Sequence, residues 1–211
     1  MFYYENPITL LITIASIVIS LLAHLGIKNA YAKYSKMRVS GGLTGADVAR
    51  RIAGDTASVT MHNGGKMSDH FDPRTRTVAL SPDVYNGSTV AALGIAAHEA
   101  GHALQHGNGY APIKLRNAIL PIAQIGSTLA TPLVIAGLVF GSMSFLIDVG
   151  IILFVAVIAF QIITLPVEFN ASSRAMAMLK DNSYLNESEA RGARSMLNAA
   201  AMTYEIGRAH V

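Results

Sequence analysis

The chain has 211 residues, of which 52% are hydrophobic and only 14% charged, with a mean hydropathy of +0.41 and a formal net charge of +3. That balance is far from a soluble average and reads as a membrane protein, while so small a charge makes no case for a nucleic-acid partner. With no cysteine, disulfides and thiolate ligands are excluded, so any bound zinc must be held by His, Asp or Glu.

Taken in chain order, residues 7–27 form the first apolar run long enough to span a bilayer, which takes about 20 residues. No small-residue cleavage site follows a short apolar core, so the run is expected to be a retained anchor. From 35 to 115 the composition changes to that of a water-exposed segment. Within it, Thr44, Asp47 and Gly54 are spaced as cap, third helical residue and terminator of a short amphipathic helix. Residues 58–62 and 75–81 read as strands, with turns at Asn63-Gly64-Gly65 and Asp72-Pro73-Arg74. Asn86-Gly87-Ser88 breaks the chain before a helix beginning near Val90. An exposed edge of so small a sheet could bind an extended peptide through its backbone.

Two further spans are expected at 118–141 and 144–167, joined by a tight turn at Gly141-Ser142-Met143. The first contains Pro121 and Pro132 together with Gln124, Ser127, Thr128 and Thr131, polar residues suited to helix contacts. Residues 168–204 return to helices outside the membrane, and Asn186-Glu187-Ser188-Glu189 resembles a capping box for the last of them. The basic residues set the orientation. Lys28, Lys33, Lys36 and Arg38 follow the first span, Lys114 and Arg116 precede the second, and Arg174 and Lys180 follow the third. By the positive-inside rule all three groups face the cytoplasm of a multi-pass protein in the cell membrane.

The segment His98-Glu99-Ala100-Gly101-His102 carries the chemistry. Four residues is slightly more than one helical turn, so His98 and His102 project from one face and can share one Zn2+ ion. Glu99 begins one step round that face, where it can take a proton from a zinc-held water as a general base. The small apolar run 90–97 before it suits a buried helix. A catalytic zinc needs a third protein ligand. His106 lies about 6 Å further along the helix, too far to join the same ion. A metzincin would need His at 108, where this chain has Asn108. Among later residues Glu168 stands out as a carboxylate just past the third span on the same predicted side, and on position alone it could equally be an ordinary interfacial charge.

The motif helix, the Asp69-His70-Phe71-Asp72-Pro73-Arg74 segment, the three spans and the Glu168-Phe169-Asn170-Ala171-Ser172-Ser173-Arg174-Ala175 run together resemble the bacterial putative neutral zinc metallopeptidase family of YugP-type membrane proteases. More distantly the chain is similar to the Ste24/HtpX-type gluzincins, whose third ligand is the first Glu of an ExxxD motif. The resemblance implies a mainly α membrane protein with a small α+β zincin-like cytoplasmic catalytic domain. It implies a zinc metalloendopeptidase acting on peptide or protein substrates, with His98, His102 and Glu168 as ligands. This chain departs from those relatives at Ser172, where they have Asp; a hydroxyl can still hydrogen-bond a ligand but brings no negative charge. His70 and Arg174 are candidates for stabilising an oxyanion, with Arg174 also a candidate partner for Glu168.

Two other readings compete. A site-2-type intramembrane protease would recruit Asp148 as a ligand, but the apolar run before His98 is too short to span and Asp148 falls on the outer side. A non-catalytic zinc-binding membrane scaffold is the other. Residues 205–211 can be back-translated as GAG ATC GGA AGA GCA CAC GTC, a common sequencing adapter, so they are expected to be a non-native tail. The resemblance then implies a chain continuing past Tyr204 into a fourth apolar helix.

Overall fold

The computed structural model describes residues 18, 21–22 and 25–201. Most of the expected span 7–27 therefore lies outside the described residues, as do Tyr204 and the tail 205–211. Of that span, Leu21, Leu22 and Leu25 are exposed and Ile27 is buried.

The described part of helix α1 covers 25–34. Helix α2, Gly45–Ala53, opens with a reciprocal box: Asp47 N–H donates to Thr44 Oγ1 at 3.1 Å and Thr44 N–H to Asp47 Oδ2 at 3.0 Å. Two donors that a helix start leaves unpaired are thus satisfied, as the Thr44 and Asp47 spacing predicts. A three-stranded sheet follows in the order β1-β3-β2, with β1 (Ser58–Met61) parallel and β2 (His70–Asp72) antiparallel to β3 (Thr77–Leu80). The sequence reading anticipated β1 and β3 but gave the region of β2 to turns. In the central strand Val78, Ala79 and Leu80 are all buried.

Helix α3 (Pro82–Tyr85) precedes α4 (Val90–Gly107), which is buried almost all round. Its cap is Thr89, whose side chain accepts from Ala92 N–H, one residue later than the expected Asn86-Gly87-Ser88 break. Its small residues let neighbours approach closely. At Gly101 an added Cβ would stand 2.9 Å from the Ala171 carbonyl oxygen, so only glycine lets the two backbones meet there.

Among the described residues two helices are long and apolar enough to cross a membrane, α5 (Ala111–Val139) and α6 (Phe145–Asp181). A 3-10 turn at Gly141–Met143 joins them. They pack along a stripe of small residues: Ala123, Gly126, Ala130 and Gly137 on α5 are buried, and Gly150 of α6 meets the Ala130 carbonyl and Val134. Close backbone approach of this kind is how helices associate where apolar surface has no water to escape. Large apolar side chains point outward, including Ile122, Ile125, Ile152, Val155, Ile158 and Ile162.

Helix α6 does not end where the apolar run ends. It continues through Pro166 to Asp181, 37 residues or about 55 Å. In this last part the buried positions are Thr164, Val167, Glu168, Ala171, Ser172, Ala175, Met176 and Leu179, a helical stripe turned onto α4. Helix α7 (Glu187–Ala201) closes the bundle. Its box is reciprocal too, with Asn186 N–H donating to Glu189 Oε2 and Glu189 N–H to Asn186 Oδ1. The other Glu189 oxygen accepts from Ser40 N–H, tying α7 to the loop that follows α1.

Candidate metal centre

His98 and His102 lie one turn apart on α4, and Glu168 comes from α6, which the Gly101 contact holds against that turn. Glu168 Oε2 stands 3.2 Å from His98 Nε2 and 3.4 Å from His102 Nε2. All three side chains are buried, and one ligand atom from each lies within 4.8 Å of the others. Zinc bonds of about 2.0–2.2 Å in a tetrahedron would separate neighbouring ligand atoms by about 3.4 Å, so two of the separations already match.

The hydrogen bonds on the far side of each ring decide what the near side offers. His102 Nδ1 is 2.9 Å from Gln105 Oε1, and the Gln105 amide nitrogen donates to the Val167 carbonyl at 2.8 Å and to Asn170 Oδ1 at 3.0 Å. With its nitrogen committed to two acceptors, Gln105 presents an oxygen to the ring. An oxygen can only accept, so His102 carries a proton on Nδ1 and turns Nε2 toward Glu168, the nitrogen that a neutral ring offers to a metal. That Nε2 is buried and makes no hydrogen bond. A ring nitrogen facing a carboxylate oxygen across 3.4 Å in a buried setting calls for a positive charge between them, a proton or a metal ion. Convergence of the second ring on the same oxygen makes one shared ion the arrangement that satisfies all three atoms. The donor set, two imidazoles and a carboxylate, suits zinc.

His98 is supported in parallel: its Nδ1 lies 3.1 Å from Ser172 Oγ. The hydroxyl at position 172 thus reaches the ring. Arg174 does not meet Glu168; its Nε donates to Asn170 Oδ1 at 2.8 Å. The guanidinium beside Glu168 is Arg116 of α5, 3.6 Å from Oε1. His70 also stays apart. Alternation along β2 turns Asp69 and Phe71 toward α4 and His70 the other way, where its ring meets His62 edge-on at 5.4 Å and its Nδ1 lies 2.8 Å from the Ser68 carbonyl. His106 is outside the cluster, its ring against Phe71.

Glu99 is 2% exposed and borders two cavities. One is apolar, with Ile27, Tyr31, Ile95 and Met196 in its walls; the other lies between β2 and α5 and has Phe71, His102, Arg116 and Asn117 in its walls. Asp69 faces the first cavity and accepts from Ser81 N–H and Oγ. Burial pushes its carboxyl above the usual range; the Ser81 bonds oppose this and the Glu99 charge adds to it. Sequence reasoning had passed over Gln105, Asn170, Arg116 and Asp69. Only Gln105 carried a local signal, three residues beyond His102 and hence on nearly the same helix face.

Comparison with known proteins now identifies the relatives. Residues 9–209 match the family described as putative neutral zinc metallopeptidase. The chain is 42% identical over 196 residues to the "Putative membrane protease YugP" of Bacillus subtilis (strain 168), covering 92% of this chain and 87% of that protein. No solved structure matches the chain. The chain belongs to the putative neutral zinc metallopeptidase family.

Proposed function

We propose that this member of the family is a membrane-anchored zinc metalloendopeptidase in which His98, His102 and Glu168 hold one Zn2+ and Glu99 is the general base. The observation that carries this reading is the meeting of two motif histidines with a carboxylate 66 positions further along the chain (102 to 168), on one oxygen and with a buried ring nitrogen left for a cation. Bound zinc supplies the Lewis acidity that polarises a peptide carbonyl and makes water acidic enough to react near neutral pH.

The protein groups do the rest. Glu99, next to a ligand and bordering both cavities, takes the proton of the attacking water and returns it to the departing amine. Ser172 and Gln105 hold the two rings with their Nε2 atoms inward. Arg116 borders the cavity that Glu99 and His102 share, and it is a better candidate than His70 or Arg174 for meeting negative charge that develops on a substrate oxygen. The multi-pass topology adds the expected first span, 7–27, to α5 and α6, and the positive-inside rule applied to Lys114, Arg116, Arg174 and Lys180 favours a cytoplasmic catalytic half. The experiment is cleavage of a peptide library by purified protein and by Glu99→Gln, with zinc measured in both. Cleavage by the wild type alone, with equal zinc, supports the reading; turnover retained in the variant refutes it.

A further inference from the structure

We infer that Gln105 is a positioning residue for the metal: anchored by Asn170 and Arg174, it fixes the proton of His102 on Nδ1 and ties the histidine helix to the carboxylate helix. The inference rests on the zinc reading above and extends it to residues outside the ligand set.

A glutamine amide has two ends, and which end meets His102 matters. If the nitrogen faced the ring, it would compel Nδ1 to accept, push the ring proton to Nε2 and block metal binding there. The environment removes that choice. On one side stands the Val167 carbonyl, 2.8 Å away, and on the other Asn170 Oδ1, 3.0 Å away; both can only accept, so the Gln105 nitrogen must lie between them. Asn170 could in principle turn its own amide round and present a donor. Arg174 prevents this, because its Nε donates to the same Oδ1 at 2.8 Å and a guanidinium has no acceptor to offer. The proton order is therefore fixed from Arg174 through Asn170 and Gln105 to His102 Nδ1, which leaves Nε2 as the ring nitrogen for the metal.

The same amide spans two helices. Gln105 is fully buried on α4, and both of its acceptors belong to α6, one residue before and two residues after Glu168. Thus the link that orients one ligand also sets the distance to another. On the other histidine, His98 Nδ1 lies 3.1 Å from the Ser172 hydroxyl, a group that can donate or accept.

The test uses the full-length protein in detergent and reads zinc affinity by competition with a chelator, beside the thermal midpoint of the metal-free form. Gln105→Leu keeps the bulk but not the amide, and should weaken zinc by about 10- to 100-fold. Asn170→Ala should weaken it less. Because both act through one chain, adding Asn170→Ala to Gln105→Leu should cost little more than Gln105→Leu alone. Wild-type affinity in Gln105→Leu would overturn the inference, as would additive losses in the double variant. So would a weakening matched by an equal fall in affinity for Ala171→Ser, which loosens the same helix contact without touching the relay. Should Gln105→Leu not fold, Asn170→Ala and Arg174→Gln carry the test: unchanged zinc affinity in both overturns it. Failure of the enzyme reading looks different, since the wild type itself would then bind no zinc or Glu99→Gln would still cleave.

Discussion

The two halves of α6 are one helix with opposite surfaces. Before Gln161 large apolar side chains such as Ile152, Val155 and Ile158 point outward, while Gly150 meets Ala130 and Val134 of α5 and Ile147, Leu153 and Val157 meet the α5 glycines. After Thr164 the apolar residues Val167, Ala171, Ala175 and Leu179 point inward, and Phe169 is the large apolar side chain left exposed. A single element has thus been written for two solvents, lipid and water, and Glu168 falls within one turn of the change. Mutations in the two halves should consequently fail in different ways.

The largest effect belongs to the water-facing half and its neighbour α4. Glu99→Gln should lower kcat by about 10²- to 10⁴-fold with zinc content unchanged, measured by peptide hydrolysis and metal analysis on the same sample. Next comes the contrast between halves. Ile158→Lys places a charge in the middle of the outward apolar surface and should cost about 2.5–3.5 kcal/mol of membrane insertion, whereas Ser173→Lys, exposed on the other half, should be near neutral. Carbonate extraction of membranes reads both, and equal recovery of the two variants would erase the distinction drawn between the halves. Gly101→Val should destabilise the metal-free protein by about 1–3 kcal/mol, because the new side chain meets the Ala171 carbonyl, while Gly141→Ala, with nothing within 4 Å, should leave the thermal midpoint unchanged.

The smallest effect concerns pH. The Asp69 carboxyl is raised by burial, so its folded pKa exceeds its unfolded one. Its contribution to stability is then fully present below the unfolded pKa and lost as pH rises through the folded value. Asp69→Asn retains an acceptor for Ser81 and removes that titration. In the metal-free protein it should flatten the decline of stability with rising pH, and a decline as steep as that of the wild type would count against a burdened carboxyl at this position.

Much of this architecture could be read locally, where the signal is a short-range one. Thr44 with Asp47 and Asn186 with Glu189 announce their helices because each box closes within three residues. The motif histidines share a face for the same reason. What escaped the reading depends on partners distant in sequence. Strand β2 is three residues long and exists by pairing with β3. The expected third span stops at 167, but the helix runs on to Asp181: Pro166 removes only one donor from the ladder, and packing of the following stripe onto α4 carries the helix through it. Arg174 was a plausible neighbour for Glu168 by sequence, but six residues place it on a different helix face, and the cation that does arrive, Arg116, comes from α5. Glu168 stands out by its place just past a span, but position leaves it even with an ordinary interfacial charge, and the resemblance is what marks it as a ligand.

The central claim is that one metal centre is divided between α4 and α6, and zinc analysis of purified full-length protein beside Glu168→Ala tests it most directly. The account predicts about one zinc per chain in the wild type and, at the same free zinc, little or none in the variant; full zinc occupancy with unchanged affinity in Glu168→Ala would contradict it.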